Sequence, residues 1–221
     1  VISRFVPFAI VGLAHLVGLF TGLTVLSGLT KPLLMLALLG AFLTSVPRIR
    51  SRVALLGGLG IVLSWAGDVS LASPGDLGFL VGLGFFFGAH VAYLVLFLTA
   101  LPIRRMRRLS LIFVPWWAIF VALLAPHAGV MLVPIALYGA VLGAVAAAAL
   151  ACNRWVGAGA VFFLASDSLL GLHLFVPGFE FWQVDFTIML AYILGQGLIA
   201  WGAVVHAREA QETRPPVAVA A

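Results

Sequence analysis

The chain has 221 residues, 64% of them hydrophobic and 9% charged, with a formal net charge of +5 and a single cysteine, Cys152. Its mean hydropathy of +1.22 is more than a soluble core of this size can hide, which excludes a water-soluble domain and leaves a polytopic membrane protein. One cysteine also excludes an internal disulfide and a cysteine-based metal site, and Cys152 reads as a small apolar packing residue.

Proline, glycine and charge divide the chain into eight hydrophobic helices, expected at 5–27, 31–46, 53–72, 77–100, 109–125, 129–151, 155–175 and 184–206, an all-α fold. The second and fifth fall short of the roughly 20 residues of a full span. The first run is not expected to be a cleaved signal peptide, because seven hydrophobic runs follow it and it lacks a good small-residue cleavage site. Breaks are expected at Pro47, Ser73-Pro74-Gly75, Pro102, Pro126 and Pro177-Gly178, where proline removes a helical donor. A single transmembrane domain is expected over 1–207, and 208–221, with Pro215-Pro216 and an alanine-valine end, reads as a disordered cytoplasmic tail.

Basic residues set the expected orientation. With the N-terminus inside, the inner segments hold Arg4, then Arg48, Arg50 and Arg52, then Arg104, Arg105, Arg107 and Arg108, then Arg154, Arg208 and Arg214, leaving only Lys31 outside. Both termini are therefore expected in the cytoplasm, and the bias accounts for nearly all of the positive charge without a nucleic-acid partner. Shifting the chain by 99 residues superposes Asp68 on Asp167, Leu71 on Leu170, Ala92 on Ala191 and Tyr93 on Tyr192. Duplication on that register gives a 4+4 parallel repeat, although identities are few and apolar sequences align easily.

Two aspartates stand out against the apolar background: Asp68 in SWAGDVSL and Asp167 in FLASDSLL. A carboxylate in the hydrocarbon layer costs roughly 2.5–3.5 kcal/mol on insertion scales unless it is neutral, paired or wet, so each is a candidate site residue. At a rise of about 1.5 Å per residue, Asp68 lies about 5 Å, Asp167 about 12 Å, Tyr192 and Gln196 about 12–18 Å and His90 about 20 Å from the outer helix ends. His90 and Tyr93 share one helix face, as do Asp185, Tyr192 and Gln196, so these groups can look into one cavity. Lys31 is expected at the outer mouth of the second helix. His173 lies seven residues after Ser166 on the same face, whereas His15, His127 and His206 read as structural histidines.

Five segments in order, TKPLLMLALL (30–39), AGDVSL (66–71), GLGFFFGAHVAYLVLF (82–97), GAVFFLASDSLLG (159–171) and AYILGQGLIA (191–200), resemble the YhhN family of membrane proteins, which includes lysoplasmalogenases. The resemblance runs from the first helix to about Ala207. It implies an eight-helix hydrolase that cleaves the vinyl ether bond of a lysoplasmalogen, releasing a fatty aldehyde and a glycerophospho-alcohol. The lysophospholipid substrate and membrane lipid are then the partners, and a bacterial inner membrane is the expected location. By motif position the family's polar residues fall on Lys31, Asp68, His90, Tyr93, Asp167, Tyr192 and Gln196. No histidine cluster is present, so neither a metal nor a cofactor is expected.

Vinyl ether hydrolysis begins with protonation at carbon and passes through an oxocarbenium ion that water captures. It needs an acid, a counter-charge and a group that directs water, which paired carboxyls in unlike surroundings can supply. The expected catalytic set is Asp167 as acid, Asp68 as its ionised partner, and His90 or Tyr93 orienting water. The residues alone leave the two aspartate roles open to exchange. Lys31, Ser166, Tyr192 and Gln196 are expected to contact substrate. Two other classes stay open: a transporter or channel, which usually lines a through-path with polar groups, and a non-catalytic lipid-binding protein.

Overall fold

In the computed structural model the described residues are 1–73, 75–101 and 108–213. Among them no strand occurs, and the apolar runs form eight α-helices: α1 (Ile2–Thr21), α2 (Thr24–Ser45), α3 (Arg52–Leu71), α4 (Asp76–Thr99), α5 (Phe113–Leu124), α6 (Leu132–Ala149), α7 (Arg154–Phe175) and α8 (Val184–Glu212). Short 3-10 turns precede α5 (Arg108–Ile112) and α6 (Gly129–Met131). Seven helices are long and apolar enough to cross a membrane, and α5 is the short one. The expected breaks at Pro74 and Pro102, the cations Arg104, Arg105, Arg107 and Arg214, and Pro215-Pro216 lie outside the described residues.

Three boundaries differ from the sequence reading. The first helix ends at Thr21 rather than near residue 27, because Gly22 adopts φ 72 and the amides of Gly22 and Leu23 return to Leu19 and Gly18. This is a Schellman closure that glycine accommodates without strain. The second helix is therefore 22 residues long, long enough to span, and Pro32 sits inside it rather than at its start. Proline there leaves the Gly28 carbonyl without its helical donor, while the Trp65 indole donates to the Pro32 carbonyl at 3.1 Å. At the other end, α8 continues to Glu212. Residues 208–212 are thus helical rather than part of a tail, consistent with the good helix formers in Ala-Arg-Glu-Ala-Gln-Glu.

Capping fixes other starts. The Ser51 hydroxyl accepts from Ala54 N, and the Asn153 side chain accepts from Trp155 N and Val156 N. Asn153 also donates to the Gly202 carbonyl at 2.9 Å, tying the start of α7 to α8. Contacts of this kind define two ends of the bundle. At one end Arg4 donates to the Thr44 carbonyl, Arg208 to the Ser45 carbonyl at 3.0 Å and Ser110 to the Ala147 carbonyl at 3.3 Å. This end carries every described arginine. At the opposite end Phe20 packs on Trp182 and Phe186, Phe79 packs on Phe175, and Asp76 and Asp185 open their helices, where the helix dipole favours acids.

Between α3 and α4 the glycines Gly60 and Gly67 make room for the rings of Tyr93 and Phe86, and between α7 and α8 the helices approach at positions without side chains. A Cβ on Gly195 would stand 2.8 Å from Phe163 N, and one on Gly159 2.7 Å from the Gly195 carbonyl oxygen. Backbone touches backbone here, as small residues allow in membrane bundles. Gly195→Val is expected to cost about 1–3 kcal/mol through overpacking, read as a lower melting midpoint of the detergent-solubilised protein. Gly84→Ala, whose Cβ would meet nothing within 4 Å, is expected to leave the midpoint unchanged or slightly raised.

Candidate functional site

A cavity of about 770 Å³ opens at the end opposite the arginines, and its lining divides by chemistry. On one side α1, α2, α3 and the first turns of α4 and α8 contribute His15, Thr24, Ser27, Lys31, Asp68, Asp76 and Asp185. On the other, α4 to α7 present Phe79, Leu83, Phe120, Ile135, Leu170 and Leu174. Asp68 on α3 belongs to the first, mostly polar group, which also holds Leu19 and Leu71, and Asp167 on α7 to the second, mostly apolar one, which also holds Tyr138 and Ser166. Each lies within electrostatic reach of the other, and Lys31 lies within reach of Asp68.

Each carboxyl is held by a tyrosine from a neighbouring helix. Tyr192 on α8 donates to Asp68 Oδ2 at 2.7 Å, and Tyr138 on α6 donates to Asp167 Oδ2. Asp68 is the more enclosed of the two, 6% exposed, whereas Asp167 is half-buried. The aspartate nearer the helix end is therefore the better covered, with Tyr192 hydrogen-bonded to it and Phe86 edge-on against that tyrosine, although both carboxyls line the cavity.

Of the residues singled out in the sequence, the structure brings Lys31, Asp68, Asp167, Ser166 and Tyr192 to the cavity wall. Ser166 spends its hydroxyl on the Ile188 carbonyl at 3.0 Å. Lys31 lies inside α2 rather than at its mouth, about 10 Å along the helix, because α2 begins at Thr24. His90, Tyr93 and Gln196 do not line the cavity; they lie one layer beneath it. Tyr93 donates to Gln196 Oε1 at 2.7 Å, and Gln196 Nε2 donates to Ser64 Oγ at 2.8 Å. His90 Nδ1 faces the Phe86 carbonyl at 2.7 Å; a carbonyl only accepts, so Nδ1 carries the ring proton. The His90 ring packs edge-on against Tyr138 and Phe163, with centroids 5.3 and 4.6 Å away. This layer is a polar and aromatic floor.

Two residues outside the sequence-derived set belong to the site. Tyr138 holds Asp167, and the signal for it was rarity: the chain has only three tyrosines, and all three hydroxyls enter this network. His15, read as structural, is buried but lines the cavity, with Nδ1 3.1 Å from the Ser27 carbonyl and 3.0 Å from Thr30 Oγ1. His173 instead faces Glu180 at 3.7 Å, away from the cavity. Burial pushes the Cys152 thiol up to about 11, which suits a packing residue rather than a nucleophile. Among the described residues no group of three or more His, Cys, Asp or Glu side chains is gathered in metal-binding proximity.

Comparison with protein-family models matches residues 26–203 to the model of the YhhN family. No curated protein matches the chain, and no solved structure does.

The geometry separates holding a carboxyl from being one. Tyr138→Phe and Tyr192→Phe each leave an enclosed carboxyl without its donor and are expected to destabilise the detergent-solubilised protein by about 1–3 kcal/mol. Asp68→Asn and Asp167→Asn keep an oxygen that accepts the phenol proton, so their melting midpoints are expected to stay close to that of the parent protein.

Proposed function

The chain belongs to the YhhN family, and from that membership and the two-sided cavity we propose that it is a membrane hydrolase of single-chain ether lipids, cleaving the vinyl ether bond of a lysoplasmalogen. The observation that carries this reading is one cavity lined by both carboxyls, with mostly polar side chains from α1 to α3 and mostly apolar ones from α4 to α7, and in this reading the carboxyls stand at the seam between them. An amphiphile laid across that seam presents to them the bond that joins its head to its chain. Size supports one chain: at about 30 Å³ per water-sized group, about 770 Å³ accommodates on the order of 25 heavy-atom groups, a single-chain lipid but only about half of a two-chain one. Against a channel stands the floor of Tyr93, Gln196, Ser64 and His90, all buried, and a cavity lining that includes none of the described arginines at the far end.

In this reading Asp167, walled by apolar side chains and held by Tyr138, gives its proton to the vinyl carbon remote from oxygen. Positive charge then spreads over the adjoining carbon and the ether oxygen, where the Asp68 carboxylate opposes it. Water adds to that carbon and its surplus proton returns to a carboxylate. The hemiacetal collapses, its hydroxyl proton passing to the departing alkoxide, to give aldehyde and glycerophospho-alcohol with one water consumed. Lys31 and the hydroxyls of Thr24 and Ser27 receive the phosphate. Tyr93, Gln196 and His90 act from beneath, as positioning groups for the tyrosine that holds Asp68 and the one that holds Asp167.

Asp68→Asn and Asp167→Asn are each expected to lower aldehyde release from lysoplasmalogen by at least about 10²-fold, the usual scale of general acid catalysis. The assay uses purified protein in detergent, with and without a chelator. Full activity in both variants ends the mechanism, and loss to the chelator alone moves the chemistry to a metal. Bound lipid without turnover by the parent protein leaves a binding protein.

The arginine end is proposed to be cytoplasmic, with the cavity opening on the other face. In a Cys152→Ala background, Ser73→Cys is expected to react with a membrane-impermeant thiol reagent added outside cells, and Arg50→Cys only after lysis. The reverse pattern inverts the topology.

A further inference from the structure

Wherever the chain carries a basic side chain it uses arginine, eleven times, with one exception: Lys31, its only lysine. That side chain lines the cavity, is half-buried, and has no ion-pair partner among the described residues. For phosphate alone arginine is the better ligand, since its planar guanidinium binds two oxygens at once and never loses its charge. A lysine amine can give up its proton and attack a carbonyl carbon, which arginine cannot. Lys31, the one lysine or arginine among the residues that line the cavity, is thus of the residue type suited to amine chemistry, set beside apolar side chains that fit an alkyl chain.

We propose that Lys31 captures a long-chain aliphatic aldehyde as a reversible imine. The proposal rests on the hydrolase reading for the source of the aldehyde. Nζ adds its electron pair to the aldehyde carbon as the C=O π pair moves to oxygen, and one of the nitrogen protons passes to that oxygen to give a carbinolamine. That hydroxyl leaves as water while nitrogen forms the C=N bond and releases its remaining proton. Amine and aldehyde are converted to imine and water, with nothing oxidised or reduced, and water reverses the step. Asp68, within electrostatic range of Lys31 but beyond ion-pair distance, lends and recovers the proton through water in the cavity. A bound phosphate occupies the amine, so capture follows departure of the head group. The products therefore leave in order, glycerophospho-alcohol first and aldehyde last, and a reactive electrophile stays out of the bilayer until the imine hydrolyses.

The test adds the aldehyde directly. The full chain in detergent is incubated with hexadecanal or with propanal, cyanoborohydride reduces any imine to a stable secondary amine, and mass spectrometry of the intact and digested protein counts and maps the alkyl groups. The expected result is one hexadecyl group on Lys31, at an aldehyde concentration at least about tenfold below that needed for propanal because the apolar half binds the chain, and no such group in Lys31→Arg. Equal labelling by both aldehydes overturns the proposal, since it describes any accessible amine. So does labelling of the chain-terminal amine in preference to Lys31, or an undiminished adduct in Lys31→Arg. The mapping on the parent protein stands even if that variant does not fold. No adduct refutes the imine alone, whereas no aldehyde release from lysoplasmalogen refutes the hydrolase reading alone.

Discussion

A carboxyl among apolar helices needs a donor, and in this protein each of the two finds a tyrosine on another helix. That requirement organises the interior. Asp68 with Tyr192 joins α3 to α8, Asp167 with Tyr138 joins α6 to α7, and between these two clamps the bundle stays apart far enough to leave a cavity. The glycine seams do the complementary work. They bring α7 against α8 and α3 against α4 so closely that the side chains around the cavity have fixed walls behind them. Held on rigid helices, the polar groups keep their geometry without substrate, which is the preorganisation that electrostatic catalysis relies on.

The two carboxyls are not equivalent, although the chain places them on an equal register. On that register the counterpart of Tyr192 for Asp167 is Tyr93, yet Tyr93 donates to Gln196 and Tyr138 takes its place. Asp68 thereby sits over a hydrogen-bonded base of Gln196, Tyr93 and Ser64, and Asp167 beside aromatic carbon. Two aspartates on one register thus have different surroundings, and the unlike roles proposed for them rest on those surroundings.

Much of this was legible in the sequence, for physical reasons that differ by residue. Composition settled the all-α membrane class, and the rarity of acids in apolar runs singled out Asp68 and Asp167, because burial without purpose is costly. Proline was the less reliable guide: Pro47 and Pro126 follow helix ends, yet Pro32 lies within α2, where the indole of Trp65 engages its carbonyl. The true break, at Gly22, depends on a left-handed residue that looks like any other glycine in a chain with 24 of them. Face-sharing grouped His90 and Tyr93 with the site but gave only their direction. Whether they touch the cavity or lie under it depends on which side chains fill the space between, here Phe86 and Tyr192. Tyr138 was hidden because it has no register partner and no charge nearby in sequence.

On the proposed reading, the shallow position of Asp68, three residues from the end of α3, sets the plane in which the protein meets a lysolipid. A lysolipid resting in a bilayer carries its glycerol and the first atoms of its chain just beneath the head-group layer, at about the depth of 5–12 Å that the two carboxyls occupy below the helix ends. Binding at that depth does not require the chain to be drawn into water, a transfer that costs about 0.8 kcal/mol per methylene. For a lysolipid substrate, encounter is then a two-dimensional event, and the quantity that governs it is the mole fraction of that lipid in the surrounding leaflet rather than its concentration in the aqueous phase.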